Sequence, residues 1–195
     1  MSKYIVYLIE DCEEHAEKTL AALNRIKTDY SDKEYTFTFK KLEGTVSDEY
    51  ENEPYTFYDL TVFEKIEQQI KEEKGKGNYI GLLLDTMLTR DDIISTSLSY
   101  YPKYSISRDI FERFSDRIPI YIITSTSAFG YQSEITMGRN LSEQYIKYQK
   151  LADYPRTPIS KELKQMFSFY RNFYKNADSG RRTKESADER QMELV

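Results

Sequence analysis

Two apolar runs frame this chain. Tyr4-Ile5-Val6-Tyr7-Leu8-Ile9 and Tyr79-Ile80-Gly81-Leu82-Leu83-Leu84 are continuous rather than alternating, the pattern of strands buried on both faces of a parallel sheet. Each run stops in acid, the first at Glu10-Asp11 and the second at Asp85. After Asp11, Glu13 to Ile26 carries Ala16, Leu20, Leu23 and Ile26 at helical spacing with charges on the other face. Tyr35-Thr36-Phe37-Thr38-Phe39 alternates and predicts a second strand. Residues 44–59 are acidic and irregular, contain Pro54, and are expected to form a long loop. Thr61 to Lys74 predicts a helix with Val62, Phe63, Ile66 and Ile70 inward, closed by Gly75 and Gly77.

The alternation continues beyond Asp85. Thr86 to Ser105 reads as a polar connection and Ile106 to Phe114 as a helix. Pro119-Ile120-Tyr121-Ile122-Ile123 predicts a fourth buried strand, ending in the hydroxyl cluster Thr124-Ser125-Thr126-Ser127. Gly138 breaks the next helical region, whose better half runs from about Leu141 to Leu151. A short extended piece, Asp153 to Thr157, precedes Pro158, and Ser160 to Tyr174 is strongly amphipathic through Leu163, Phe167, Tyr170 and Tyr174. Asn176 to Val195 is charged and almost without apolar residues, so residues 176–195 are expected to be a flexible tail. Five strands alternating with five helices predict one α/β domain over residues 1–175. Its expected core is a five-stranded parallel sheet with helices on both faces and insertions after strands two and three.

Composition narrows the chemistry. A net charge of −5 argues against nucleic-acid binding. With Cys12 and His15 each the only residue of its kind, an internal disulfide framework, multi-cysteine zinc sites and His-rich metal sites are excluded, and a Ser-His-Asp or Cys-His catalytic set is disfavoured. Cys12 stands beside two carboxylates, which disfavours a thiolate, and His15 reads as a surface or packing residue. No run approaches membrane-spanning length and the N-terminus lacks a signal-peptide pattern, so a cytoplasmic protein without a membrane partner is expected. The strand-end acids remain. Each alone can be a solvated loop start, but Glu10, Asp11 and Asp85 at one rim of a sheet would repel one another unless they hold a cation.

Four motifs, in order, resemble those of response-regulator receiver domains. Tyr7-Leu8-Ile9-Glu10-Asp11-Cys12-Glu13-Glu14-His15-Ala16 resembles the opening of that family, where a strand ends in an acidic pair and the first helix follows directly. Leu83-Leu84-Asp85-Thr86-Met87-Leu88 resembles its phosphoacceptor strand, with methionine two residues past the aspartate. Pro119 to Ser125 is similar to its fourth strand, and Tyr154-Pro155-Arg156-Thr157-Pro158 falls where the family has an aromatic residue and then lysine-proline.

The resemblance covers roughly residues 3–175 and implies a flavodoxin-like, five-fold βα topology. It also implies a two-component phosphorelay protein rather than an enzyme. Glu10, Asp11 and Asp85 would bind Mg²⁺ with the carbonyl of Met87. Asp85 would accept a phosphoryl group from a histidine kinase or phosphotransfer protein, with Thr124 and Tyr154 as the switch residues. Output would pass through a downstream protein partner, since no room remains after residue 175 for a DNA-binding domain; pairing into a homodimer through the last helices is a further arrangement the resemblance brings.

Departures from the family support a second reading. Thr157 occupies the lysine position, with Arg156 beside it and Lys161 four residues on, while Thr89 and Ile93 replace the usual proline and glycine. On that reading the chain is a degenerate receiver, not phosphorylated, that serves as a protein-interaction module, with the tyrosine- and acid-rich segments 44–59 and 86–105 as partner surfaces. A third class, a Mg²⁺-dependent phosphohydrolase or topoisomerase-primase-like nuclease, wants a second aspartate where Met87 stands, and no P-loop or dinucleotide fingerprint is present.

Overall fold

The computed structural model describes residues 2–30, 35–50, 53–85, 88–89, 106–123 and 166–175. In chain order these form β1 (Ser2–Ile9), α1 (Glu13–Ile26) with a 3₁₀ turn (Lys27–Tyr30), β2 (Tyr35–Lys41), β3 (Val46–Tyr50), β4 (Glu53–Phe57) and α2 (Val62–Gly75). β5 (Tyr79–Asp85), α3 (Ile106–Phe114), β6 (Ile120–Ile123) and a last helix, α4 (166–175), follow. β2, β1, β5 and β6 make a parallel sheet in that order. The predicted piece at Asp153 to Thr157 and the helical region from Leu141 to Leu151 lie outside the described residues, among which the parallel sheet has four strands.

The continuous apolar runs are explained by what covers the sheet. Alternate residues of β1 and β5 enter two separate cores. Tyr4, Val6, Leu8 and Leu83 pack with Ala16, Leu23 and Ile26 of α1 and Met166, Phe167, Tyr170 and Tyr174 of α4. Ile5, Tyr7, Ile9, Leu82 and Leu84 pack with Val62, Ile66 and Ile70 of α2 and Ile106, Ile110, Phe111 and Phe114 of α3. Both faces are therefore covered, and from Tyr4 to Ile9 and from Ile80 to Leu84 neither strand carries a charged residue before the carboxyl-terminal rim.

The glycine inside β5 has a packing cause. A Cβ on Gly81 would stand 2.7 Å from the Tyr170 ring, which is fully buried and whose hydroxyl donates to the Leu82 carbonyl at 2.6 Å. The ring thus lies flat across β5 where any side chain would be. Gly81→Ala is expected to destabilise the protein by about 1–3 kcal/mol, as overpacking does, read as a lowered denaturation midpoint with an unchanged m-value. An unchanged midpoint would mean that α4 moves away at little cost.

Residues 44–59 do not form the expected loop. β3 and β4 pair antiparallel, from Val46↔Phe57 to Tyr50↔Glu53, as a two-stranded ribbon. The acidic residues and Pro54 obscure the pattern in sequence, because they are poor strand formers. The ribbon is stabilised by neighbours far along the chain instead: Phe57 is buried, Tyr55 stacks on it at 5.5 Å, and Tyr55 bridges to Cys12.

One buried carboxylate away from the rim is Glu73. Glu73, near the end of α2, is almost fully buried and accepts hydrogen bonds from Asn78 Nδ2 at 2.6 Å, Lys76 Nζ at 3.2 Å and the Tyr7 hydroxyl at 3.3 Å. Burial pushes its pKa up, but the bonds from Asn78 and Lys76 outweigh that and hold it below the ordinary 4.5. Burial and the same carboxylate raise Tyr7 to about 12. A depressed carboxylate gives stability that is present above its unfolded pKa and lost as pH falls through the folded one. The stability advantage of the wild type over Glu73→Gln is therefore expected to be full at neutral pH and to shrink below about pH 4.5. An advantage independent of pH in acid titrations of the two proteins would contradict this.

Candidate metal centre

β1 and β5 are neighbours in the sheet, and their register sets Ile9 against Leu84. The next residue on each strand is therefore an acid, Glu10 on one and Asp85 on the other, at the same carboxyl-terminal rim. Asp11 follows, and one carboxylate oxygen from each of Glu10, Asp11 and Asp85 lies within 4.8 Å of the others. All three residues are buried, at 1%, 3% and 1% exposure respectively. The strand order reverses direction of growth between β1 and β5, which is the crevice where open α/β sheets bind ligands.

The chain turns directly from this rim into α1. The Cys12 N–H points at two carboxylates at once, Asp11 Oδ1 at 2.9 Å and Glu10 Oε1 at 3.3 Å. With the positive end of the α1 dipole behind it, this offsets part of the negative charge. His15 Nδ1 stands 3.9 Å from Glu10 Oε1 on the first turn of the helix. The donor set is oxygen only. Such a set could hold a hard cation.

Several neighbours of the acids could not be assigned from sequence. Tyr58 is buried, and its hydroxyl donates to the Leu42 carbonyl at 2.7 Å with the Glu10 carbonyl at 3.3 Å. Burial, and secondarily the charges of Glu10 and Asp11, push its phenol well above the ordinary range. The Thr56 N–H donates to the Asp11 carbonyl at 2.7 Å. The Glu13 carboxylate accepts from both Lys41 Nζ and the Thr56 hydroxyl. Burial raises the Glu13 pKa, yet those two bonds leave it below the usual carboxylate value. In sequence only Tyr55-Thr56-Phe57 alternates, a short signal that this segment returns to the core.

Glu10, Asp11 and Asp85 thus come together. Met87, Thr124, Tyr154 and Thr157, with Arg156 and Lys161, lie outside the described residues. No helix among the described residues is long and apolar enough to cross a membrane. Set against protein-family models, curated proteins and solved structures, the chain matches none.

Proposed function

We propose that this chain is a receiver-like phosphoryl switch that accepts a phosphoryl group on Asp85 with Mg²⁺ and acts through a protein partner. The observation that carries this reading is the meeting of three buried carboxylates at the adjoining ends of two central parallel strands. Bound Mg²⁺ supplies positive charge that offsets the carboxylates and the oxygens of an incoming phosphoryl group. Glu10 and Asp11 hold that charge beside Asp85. An Asp85 carboxylate oxygen forms the new O–P bond while the N–P bond of a phosphohistidine donor breaks; the imidazole nitrogen leaves with the electron pair and takes up a proton. The added phosphoryl oxygens then give Thr124 a hydrogen-bond acceptor, to which Tyr154 responds, and a histidine kinase or phosphotransfer protein is the donor.

A second reading, an interaction module that is never phosphorylated, is favoured by Thr157 in place of the family's lysine. One experiment separates them. The protein is incubated with Mg²⁺ and a ³²P-labelled phosphohistidine donor, alongside Asp85→Asn, and amide shifts are recorded on adding Mg²⁺ and then beryllofluoride. Label on the wild type alone, with shifts reaching Thr124 and Tyr154, supports the switch. Mg²⁺ binding without label or a beryllofluoride response favours the silent module. No response to Mg²⁺ removes both.

A further inference from the structure

We propose that the β3–β4 ribbon and Tyr58 form a clasp that positions Glu10 and Asp11, so that cation binding at the acidic rim and docking of the ribbon are coupled. This rests on the acids being a cation site and adds a positioning device from outside the resemblance, since the ribbon lies in the segment inserted after β2.

The hydrogen bonds converge from one stretch of chain onto every described segment around the acids. Thr56 N–H donates to the Asp11 carbonyl at 2.7 Å, Tyr58 hydroxyl donates between the Leu42 and Glu10 carbonyls, and Tyr58 N–H donates to the Leu88 carbonyl at 3.0 Å. The continuations of β1, β2 and β5 are thus all tied to residues 56–58. Thr56 and Lys41 fix the Glu13 carboxylate two residues past Asp11. The ribbon is itself anchored: Thr45 N–H donates to the Phe57 carbonyl at 2.9 Å, Asp59 N–H to Thr45 Oγ1 at 2.8 Å, and Lys65 Nζ to the Glu43 and Gly44 carbonyls at 3.0 and 2.8 Å. Gly44 makes the close approach. A Cβ there would run into the Thr56 side chain and stand 2.8 Å from the Thr56 carbonyl.

The physical consequence is a shared equilibrium. Three carboxylates without a counter-charge push Glu10 and Asp11 away from Asp85, and that displacement works against the bonds to Thr56 and Tyr58. A cation draws the carboxylates together, into the arrangement those bonds favour. Whatever stabilises one therefore stabilises the other by the same factor.

The test is amide hydrogen exchange on the full chain with and without Mg²⁺, together with calorimetric titration of Mg²⁺ into wild type and Tyr58→Phe. Mg²⁺ is expected to slow exchange at Thr45, Thr56 and Tyr58 by roughly 5-fold or more, the lower end of ordinary coupling, while the Asn78 amide at the far end of α2 is unmoved. Tyr58→Phe is expected to keep its fold, weaken Mg²⁺ binding by a similar factor, and lose the coupled protection. Should Tyr58→Phe not fold, Gly44→Ala tests the same link by displacing Thr56. Mg²⁺ binding that leaves ribbon exchange and the variant affinities unchanged overturns the clasp and spares the acidic site. A wild type that binds no Mg²⁺ overturns both.

Discussion

Asp85→Asn is expected to raise the melting temperature of the metal-free protein while removing most of its stabilisation by Mg²⁺. With one oxygen of each acid within 4.8 Å of the others, two ionised groups repel by about 3.5 kcal/mol or more at an effective dielectric constant of about 20. The Cys12 N–H and the α1 terminus return part of this, and hydrogen bonds lost with the Asp85 carboxylate oppose the gain. A net stabilisation of about 1–3 kcal/mol is the expected balance, or roughly 2–10 °C for a chain of this size. For the wild type, Mg²⁺ at 100 times its dissociation constant adds about 2.7 kcal/mol, which is roughly 5–10 °C. The variant, with a ligand missing, gains little. The gap between the two proteins should thus close: variant more stable without Mg²⁺, wild type recovering most or all of the difference with it. Scanning calorimetry at matched ionic strength, with Ca²⁺ and Na⁺ as controls, reads both effects. A metal-free variant that melts lower would show that Asp85 serves the fold more than it strains it.

What the sequence discloses and what it conceals divide along one line. β1 and β5 are legible because burial on both faces leaves no alternative to apolar residues, and their ends are legible because an acid after such a run marks the point where the strand leaves the core. Register then follows, since Ile9 and Leu84 are the last apolar residues of each run, and it brings Glu10 beside Asp85. The ribbon is not legible, because β3 and β4 take their stability from Cys12, Asp11 and Glu13, more than 30 residues earlier in the chain. Local propensity opposes the strands, and only tertiary contacts supply what propensity withholds. Gly81 shows the same limit. It reads as a gap in an apolar strand until Tyr170, 89 residues later, is seen to lie across it. The clasp residues Thr56 and Tyr58 could not be singled out for a related reason: Tyr58 is one of 18 tyrosines, and its hydroxyl reaches main-chain carbonyls that carry no sequence signature.

Phe167→Ala is expected to be the most damaging single core substitution in α4, at about 3–5 kcal/mol. Phe167 is fully buried and meets two rings of β2 edge-on, Phe37 at 4.8 Å and Phe39 at 5.7 Å. β2 is an edge of the described sheet, paired to β1 on one side, so these contacts help fix its outer face against α1 and α4. Removing the ring leaves a void that neighbouring aromatics, already engaged with Tyr4 and Tyr35, fill poorly. Tyr170→Phe makes the comparison informative. It keeps the ring over Gly81 and removes only the hydroxyl on the Leu82 carbonyl, for an expected loss of about 1–2 kcal/mol. Against a total of about 5–15 kcal/mol for a domain, the first substitution populates unfolded chains measurably at 37 °C and the second does not. Urea denaturation followed by tyrosine fluorescence and far-ultraviolet circular dichroism orders the two. If Tyr170→Phe proves the more damaging, α4 is held to the sheet by its hydrogen bonds to β5 and not by its packing on β2.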